Sequence, residues 1–244
     1  KNRKIKDVMN QCRVNKVELL PTTPTFLRLL LLSGIIPEKF PESIKIITYG
    51  TELMDEVTLK RLCQLLPNVD FRQTYGLSEF NAFRIKSESK DSLYFKFGDV
   101  IQYKIIDRIL YLKSTQRMDG YLNAEDPFDD NDWFKTNDIV EVKGEYIKII
   151  GRNTNVINVG GIKFMSKDVE IIALKHPSVI HAKAVAKNNP ITGQHVELSL
   201  EINEDNHDLK KEIKMYLNKN LVPHMKPQKI TFEKIQINSR FKKR

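Results

Sequence analysis

The chain has 244 residues, of which 41% are hydrophobic and 29% charged, with a formal net charge of +9; that is long enough to bury one large core or two ordinary ones. No apolar run approaches the roughly 20 residues that a membrane span requires, and the longest, "FLRLLLL", is interrupted by Arg28. Cys12 and Cys63 fall inside helical patterns and form neither a CxxC pair nor a disulfide framework, so a reducing, cytoplasmic setting is expected.

The first residues, "KNRKIKDV", contain neither an initiator methionine nor a signal peptide, which suggests a trimmed piece of a longer protein. Positive charge is concentrated in the last third: residues 151–244 hold 17 Lys and Arg against 9 Asp and Glu. Such a bias suits nucleic acid, a membrane surface or a phosphate-bearing small ligand. Aromatic residues are not interleaved with the basic ones as a base-stacking platform requires, so no nucleic acid partner is expected.

In chain order, short β-runs alternate with helical ones. "VELLP" precedes "TPTFLRLLLLSG", then come "SIKIITYG", "MDEVTLKRLCQLLPN" and "VDFRQTYG". Thr23 before Pro24 predicts a capped helix start, and Gly34 a helix end. Asp55 predicts a second cap, ahead of an apolar face of Val57, Leu59, Leu62, Cys63, Leu65 and Leu66. Strands separated by helices imply right-handed crossovers and a parallel, doubly wound α/β sheet, whose ligands sit outside the carboxyl ends of the strands. Gly50 in "TYGTEL" and Gly76 in "TYGLSE" fall at two such ends. Gly50, Thr51 and Glu52 are therefore candidate cofactor-binding residues beside Tyr75 and Gly76.

From about residue 92 the spacing changes to close-set short strands: "SLYFKF", "DVIQYKII", "RILYLKST" and "DIVEVKGEYIKIIGR", with Lys143-Gly144 as a predicted turn. An acidic, turn-rich stretch with the only tryptophan, Trp133, interrupts them. A third region holds "NVINVGGIKF", a helix predicted to be capped by Ser166, strands in "VIHAKAVAK" and "HVELSLEIN", a helix over "HDLKKEIKMYLNKN", and a last strand in "QKITFEK". This predicts a small α+β domain over 153–244, after a β-subdomain over 92–152 and part of a larger domain over 1–91.

Four stretches in order carry a resemblance. "QTYGLSEF" resembles the Tyr-Gly-x-Thr/Ser-Glu motif of the adenylate-forming (AMP-binding) acyl ligases, the superfamily of acyl-CoA synthetases, peptide-synthetase adenylation domains and luciferases. "WFKTNDIV" resembles their Trp-Phe-x-Thr-Gly-Asp, "IIGRNTNVINVGGIKF" their hinge segment, and "NSRFKKR" their C-terminal Asn/Thr-x-x-Gly-Lys. The resemblance spans residues 48–244 and implies carboxylate activation by ATP and Mg2+, followed by acyl transfer to CoA or to phosphopantetheine on an acyl carrier protein.

The residues suit the implied roles. Tyr75 offers a ring face to adenine, and Gly76 allows close backbone approach. Ser78 can donate to the α-phosphate, and Glu79 is the hard oxygen ligand that magnesium favours. The resemblance gives Asp138 and Arg152 the ribose hydroxyls, Gly160 and Gly161 the pantetheine arm, and Lys242 the catalytic lysine, a point charge bridging carboxylate and α-phosphate. The sequence departs from the family at Asn137, where glycine is usual and which tolerates a left-handed backbone. It departs also at the hinge positions Thr154 and Asn155, and at Phe241, with Lys243 adjacent to Lys242. The family's Gly- and hydroxyl-rich phosphate loop would precede residue 1, so this chain alone is expected to bind AMP weakly and turn over poorly. The alternative is a non-catalytic descendant that keeps the fold for binding or assembly. The five histidines show no nucleophile pairing or metal spacing and read as structural.

Overall fold

A computed structural model describes residues 5–204 and 206–235. They divide into two compact units, one ending at Ile150 and the other beginning at Gly151.

The first unit opens with α1 (Ile5–Val14), β1 (Leu19–Thr22), α2 (Pro24–Leu32), β2 (Ile46–Tyr49), α3 (Glu56–Leu65) and β3 (Asp70–Gln73). The strands pair in parallel in the order β1-β2-β3, with Ile46 opposite both Leu19 and Asp70. The helix starts follow their caps. Thr23 accepts from Phe26 N at 3.2 Å, and Asp55 accepts from Thr58 N at 2.8 Å; each satisfies one of the donors that a helix start leaves open. Leu27, Leu30, Ile47, Leu59, Leu62 and Phe71 form the core between helices and sheet. One expectation fails here: Val57 lies on the solvent side, 62% exposed. Its place is taken by Thr58, buried because its hydroxyl also donates to Asp55, at 2.8 Å.

A hairpin of β4 (Tyr75–Leu77) and β5 (Asn81–Phe83) follows, and then β6 (Ile85–Ser87), β7 (Phe95–Phe97), β8 (Gln102–Ile106), β9 (Ile109–Lys113), β10 (Phe134–Lys143) and β11 (Tyr146–Arg152). The last six form one sheet in the order β6-β7-β11-β10-β9-β8. This sheet therefore starts at Ile85, ahead of the spacing change seen in the sequence. The turn expected at Lys143-Gly144 falls one residue later, because Lys143 is the last residue of β10. Phe80, Phe95, Leu110, Leu112, Phe134 and Ile147 fill the space under the sheet.

The second unit contains a 3-10 turn (Asn153–Asn155), β12 (Val156–Val159), β13 (Ile162–Met165), α4 (Ser166–Leu174), β14 (Val179–Asn189), β15 (Gly193–Ile202), α5 (His207–Asn220) and β16 (Lys229–Phe232). Its sheet runs β13-β12-β15-β14, with β16 parallel to β15. Val169, Ala173, Ile213 and Leu217 of the two helices share a core with Ile157, Ala182, Leu198 and Leu200 of the strands. Ser166 is not the cap of α4 but its first residue; Met165 is the cap, and its N–H donates to the Asp168 carboxylate at 3.0 Å. The α/β class with a smaller α+β part is as the sequence predicts. Among the described residues no helix is long and apolar enough to cross a membrane.

Candidate functional site

The ends of β2 and β3 approach closely. Thr74 N donates to Tyr49 O at 2.8 Å, and a Cβ on Gly50 would lie 2.1 Å from Thr74 Oγ1 and 2.6 Å from the Thr74 carbonyl oxygen. Gly50 is thus required by the neighbouring strand end. Thr51 takes a left-handed backbone, φ +67°, and is exposed. Glu52 accepts from Thr25 N at 3.1 Å, placing a negative charge at the start of α2, where the helix dipole favours it.

From β3 the chain passes directly into the β4–β5 hairpin, where Tyr75 pairs with Phe83 and Leu77 with Asn81. The Tyr75 ring is held by Phe83, Phe95 and Phe97, with centroids 5.9, 5.7 and 5.9 Å away. Its hydroxyl donates to Asp138 Oδ2 at 2.6 Å. Gly76 and Ser78 are exposed, and Glu79 is half-buried. Phe80 anchors the turn below, edge-on to Phe128 and Phe134 at 5.6 and 5.5 Å.

Asp138 owes its position to an irregularity in β10. The register with β9 shifts between Lys135 and Ile139, and Asn137 sits at φ +59°, the left-handed conformation to which asparagine is better suited than most residues. Thr136 donates from Oγ1 to Leu110 O at 2.8 Å and accepts from Asp138 N at 3.0 Å. These bonds hold the bulge, and Asp138 is left 4% exposed.

Two residues that the sequence did not single out complete this region. Met118 N donates to Glu79 O at 2.9 Å, and the Tyr121 hydroxyl donates to Glu79 Oε1. That bond, with a smaller contribution from burial, pushes the Tyr121 phenol above its ordinary range. Both lie in "MDGYLN", which reads as an acidic connector; a contact made 42 residues from its partner leaves no local periodicity to find. Arg117, beside them, stacks over the Phe128 ring at 4.1 Å and pairs with Asp132 at 2.9 Å, fastening the loop.

The remaining candidates belong to the second unit or lie outside the described residues. Arg152 ends β11 and is exposed, and Thr154 and Asn155 lie in the 3-10 turn after it. Gly160 and Gly161 form the two-residue turn between β12 and β13 at φ +59° and +87°, the backbone of a type I′ turn; Gly160 N donates to Thr192 O at 2.9 Å. Lys242 lies outside the described residues. The structure therefore brings Tyr75, Gly76, Asp138 and the turn at Ser78 and Glu79 into one neighbourhood within the first unit. Among the described residues no three His, Cys, Asp or Glu side chains are grouped to hold a metal ion by themselves.

A family model for the AMP-binding enzyme C-terminal domain matches residues 168–240. A 4-coumarate–CoA ligase-like protein of Arabidopsis thaliana (4-coumarate–CoA ligase-like 6) is 24% identical over 96% of this chain and 44% of its own length. The mitochondrial acyl-coenzyme A synthetase ACSM2A of Homo sapiens is 22% identical over 86% of this chain and 41% of its own. Residues 168–240 thus carry an AMP-binding enzyme C-terminal domain, and the chain as a whole is similar to CoA ligases and acyl-CoA synthetases. The same fold occurs in the anthranilate CoA ligase AuaEII (TM-score 0.80, 16% identity, all of this chain and 51% of that one). It occurs also in the o-succinylbenzoate CoA synthetase of Bacillus subtilis (TM-score 0.75, 19% identity, 99% of this chain and 52% of that one). The chain thus spans less than half the length of those two curated relatives.

Proposed function

We propose that this chain supplies the latter part of an ATP-dependent carboxylate-activating ligase. In the first step a carboxylate oxygen attacks the α-phosphorus of ATP and the bond to pyrophosphate breaks, giving an acyl-adenylate. In the second a thiolate attacks the acyl carbon and AMP departs. The observation that carries this reading is the pairing of Tyr75 with Asp138, 2.6 Å apart though 63 positions distant in sequence. An aromatic face for a base and a buried carboxylate for a sugar are what a nucleoside needs side by side.

In this reading Tyr75 and Gly76 receive adenine, with Gly50, Thr51 and Glu52 lining the neighbouring wall. Asp138 and Arg152 take the ribose hydroxyls, Ser78 the α-phosphate, and Lys242 the charge that develops between carboxylate and phosphorus. The donor chemistry at Glu79 fits Mg2+: one half-exposed carboxylate, with phosphate and water oxygens left to complete the shell. When bound, such an ion would neutralise phosphate charge. The thiol is assigned to CoA, supported by relatives named as CoA ligases and by the positive charge of residues 151–244, which suits its phosphates; a carrier protein's phosphopantetheine is the other acceptor of the same chemistry. Gly160 and Gly161 would lie along the pantetheine arm, and the turn at Thr154 and Asn155 would let the second unit rotate between the steps. A cytoplasmic setting belongs to the same proposal, supported by two free, buried cysteines.

The test is pyrophosphate release by the full-length protein across a panel of aryl and alkyl carboxylic acids, with and without Glu79→Gln. Acid-dependent release is expected. The substitution should depress adenylation far more than thioester formation from supplied acyl-adenylate; equal losses would remove Glu79 from the metal role, and no release with any acid would sink the ligase reading.

A further inference from the structure

The proposed reading uses the ring of Tyr75 and the carboxylate of Asp138, but gives no task to the Tyr75 hydroxyl. That hydroxyl is tightly fixed. Three phenylalanine rings within 5.9 Å immobilise the phenol, and its oxygen meets Asp138 Oδ2 at 2.6 Å. On the other side Asp138 is set by the β10 bulge, the left-handed Asn137 and the Thr136 hydroxyl. A phenol donating to a carboxylate makes a charge-assisted bond, roughly twice as strong as a neutral one. It constrains the plane of the acceptor as well as its distance.

We infer that Tyr75 is a positioning residue for ribose recognition: through its hydroxyl it orients Asp138 toward the sugar diol, so that the base-binding ring and the sugar-binding carboxylate act as one rigid element. The inference rests on the nucleotide reading above and adds a separate function for one oxygen atom. A purely structural bond would lower stability when lost, and would affect all nucleotides alike. A positioning bond affects only those ligands that carry ribose hydroxyls.

The experiment compares AMP with 2′,3′-dideoxy-AMP binding by calorimetry, for the wild-type chain, Tyr75→Phe and Tyr75→Leu. The wild type should prefer AMP. Tyr75→Phe keeps the ring and should weaken AMP by about tenfold, the scale of one hydrogen bond to a charged group, while leaving the dideoxy analogue nearly unchanged. Tyr75→Leu should weaken both. Equal loss of both ligands in Tyr75→Phe, or unchanged AMP affinity, would overturn the inference, as would a Leu variant that loses AMP alone. A second measurement needs no nucleotide: the Asp138 carboxyl carbon signal in the ligand-free chain should shift and broaden in Tyr75→Phe. An unaltered signal overturns the positioning whatever binds. A responsive signal in a chain that does not prefer AMP overturns instead the nucleotide reading and the ribose link with it.

Discussion

The hydroxyl of Tyr121 donates to the carboxylate of Glu79, and the main chain of Met118 holds the Glu79 carbonyl at 2.9 Å. The acidic loop therefore grips, by both side chain and backbone, the turn that bears the proposed metal ligand. The bond to Glu79 is the leading reason that the Tyr121 phenol lies above its ordinary range, near 10 for a free tyrosine. In an alkaline titration followed at 295 nm, the step lost in Tyr121→Phe should thus lie above that of a free tyrosine. Glu79→Gln, which removes the charge, should move it down; an unmoved step would mean that the two side chains do not meet in solution.

Asp55 couples two helices. It caps α3 and pairs with Arg28 of α2, side chains 10% and 15% exposed. Burial pushes its carboxyl up, but the Arg28 guanidinium and the two bonds from Thr58 outweigh burial and hold it below the ordinary value. A depressed carboxyl contributes stability above its unfolded value of about 3.9, and that contribution is lost as pH falls through the lower folded value. Asp55→Ala should cost about 3 kcal/mol near neutral pH, since it leaves a buried charge unpaired and removes a cap. Urea unfolding from pH 7 to pH 3 tests both parts. The acid loss should flatten in the variant, and a neutral-pH loss below about 1 kcal/mol would place this pair with weak surface bridges.

Gly50→Ala tests the contact between strand ends. The new methyl would meet both the side chain and the carbonyl oxygen of Thr74, at 2.1 and 2.6 Å, and overpacking of this kind costs about 1–3 kcal/mol. Adding Thr74→Ala removes the first clash and leaves the second, so partial rescue of the urea midpoint is expected. Full rescue would show that the main chain there yields.

Asp107 and Arg108 form the two-residue turn between β8 and β9 at φ +51° and +65°, a turn that favours glycine at its second position. Arg108→Gly should stabilise by about 1 kcal/mol. The bond from Val140 N to the Arg108 carbonyl, 2.8 Å, needs no side chain and should survive. A destabilised variant would show that the arginine side chain contributes more than its backbone costs.

How much of this was legible in sequence depended on how local each cause is. Thr23, Asp55 and the helix over 207–220 were readable because a cap or a helical period is written in adjacent residues. Asn137 was readable as a left-handed residue through the resemblance, which has glycine at that position. Val57 was misassigned because helical spacing gives the apolar stripe but not its edges, where the Thr58 bond to Asp55 decided which neighbour turned inward. Ser166 was taken for a cap by residue type, yet Asp168 reaching back to Met165 sets the helix start one residue earlier. The motif residues at 75–79 and 138 carried a resemblance but not their geometry. That Tyr75 bonds to Asp138, and Tyr121 to Glu79, follows from how the six-stranded sheet and its loops pack on the β4–β5 hairpin, which no local pattern encodes.

The sheet of the second unit carries an asymmetry of its own. One edge of β15 is shared: β16 occupies it from Glu197 to Leu200, and the β12–β13 hairpin meets it in register only at Val159 opposite Gly193. Beyond that rung, the Gln194 side chain receives Asn158 N at 2.8 Å in place of a main-chain partner. The two-glycine turn thus rides on a flap with a short attachment, beside a β14–β15 ribbon paired over most of its length. Amide protons of β12 and β13 should then exchange with solvent well before those of β14 and β15, making the hairpin a separately opening piece of the sheet.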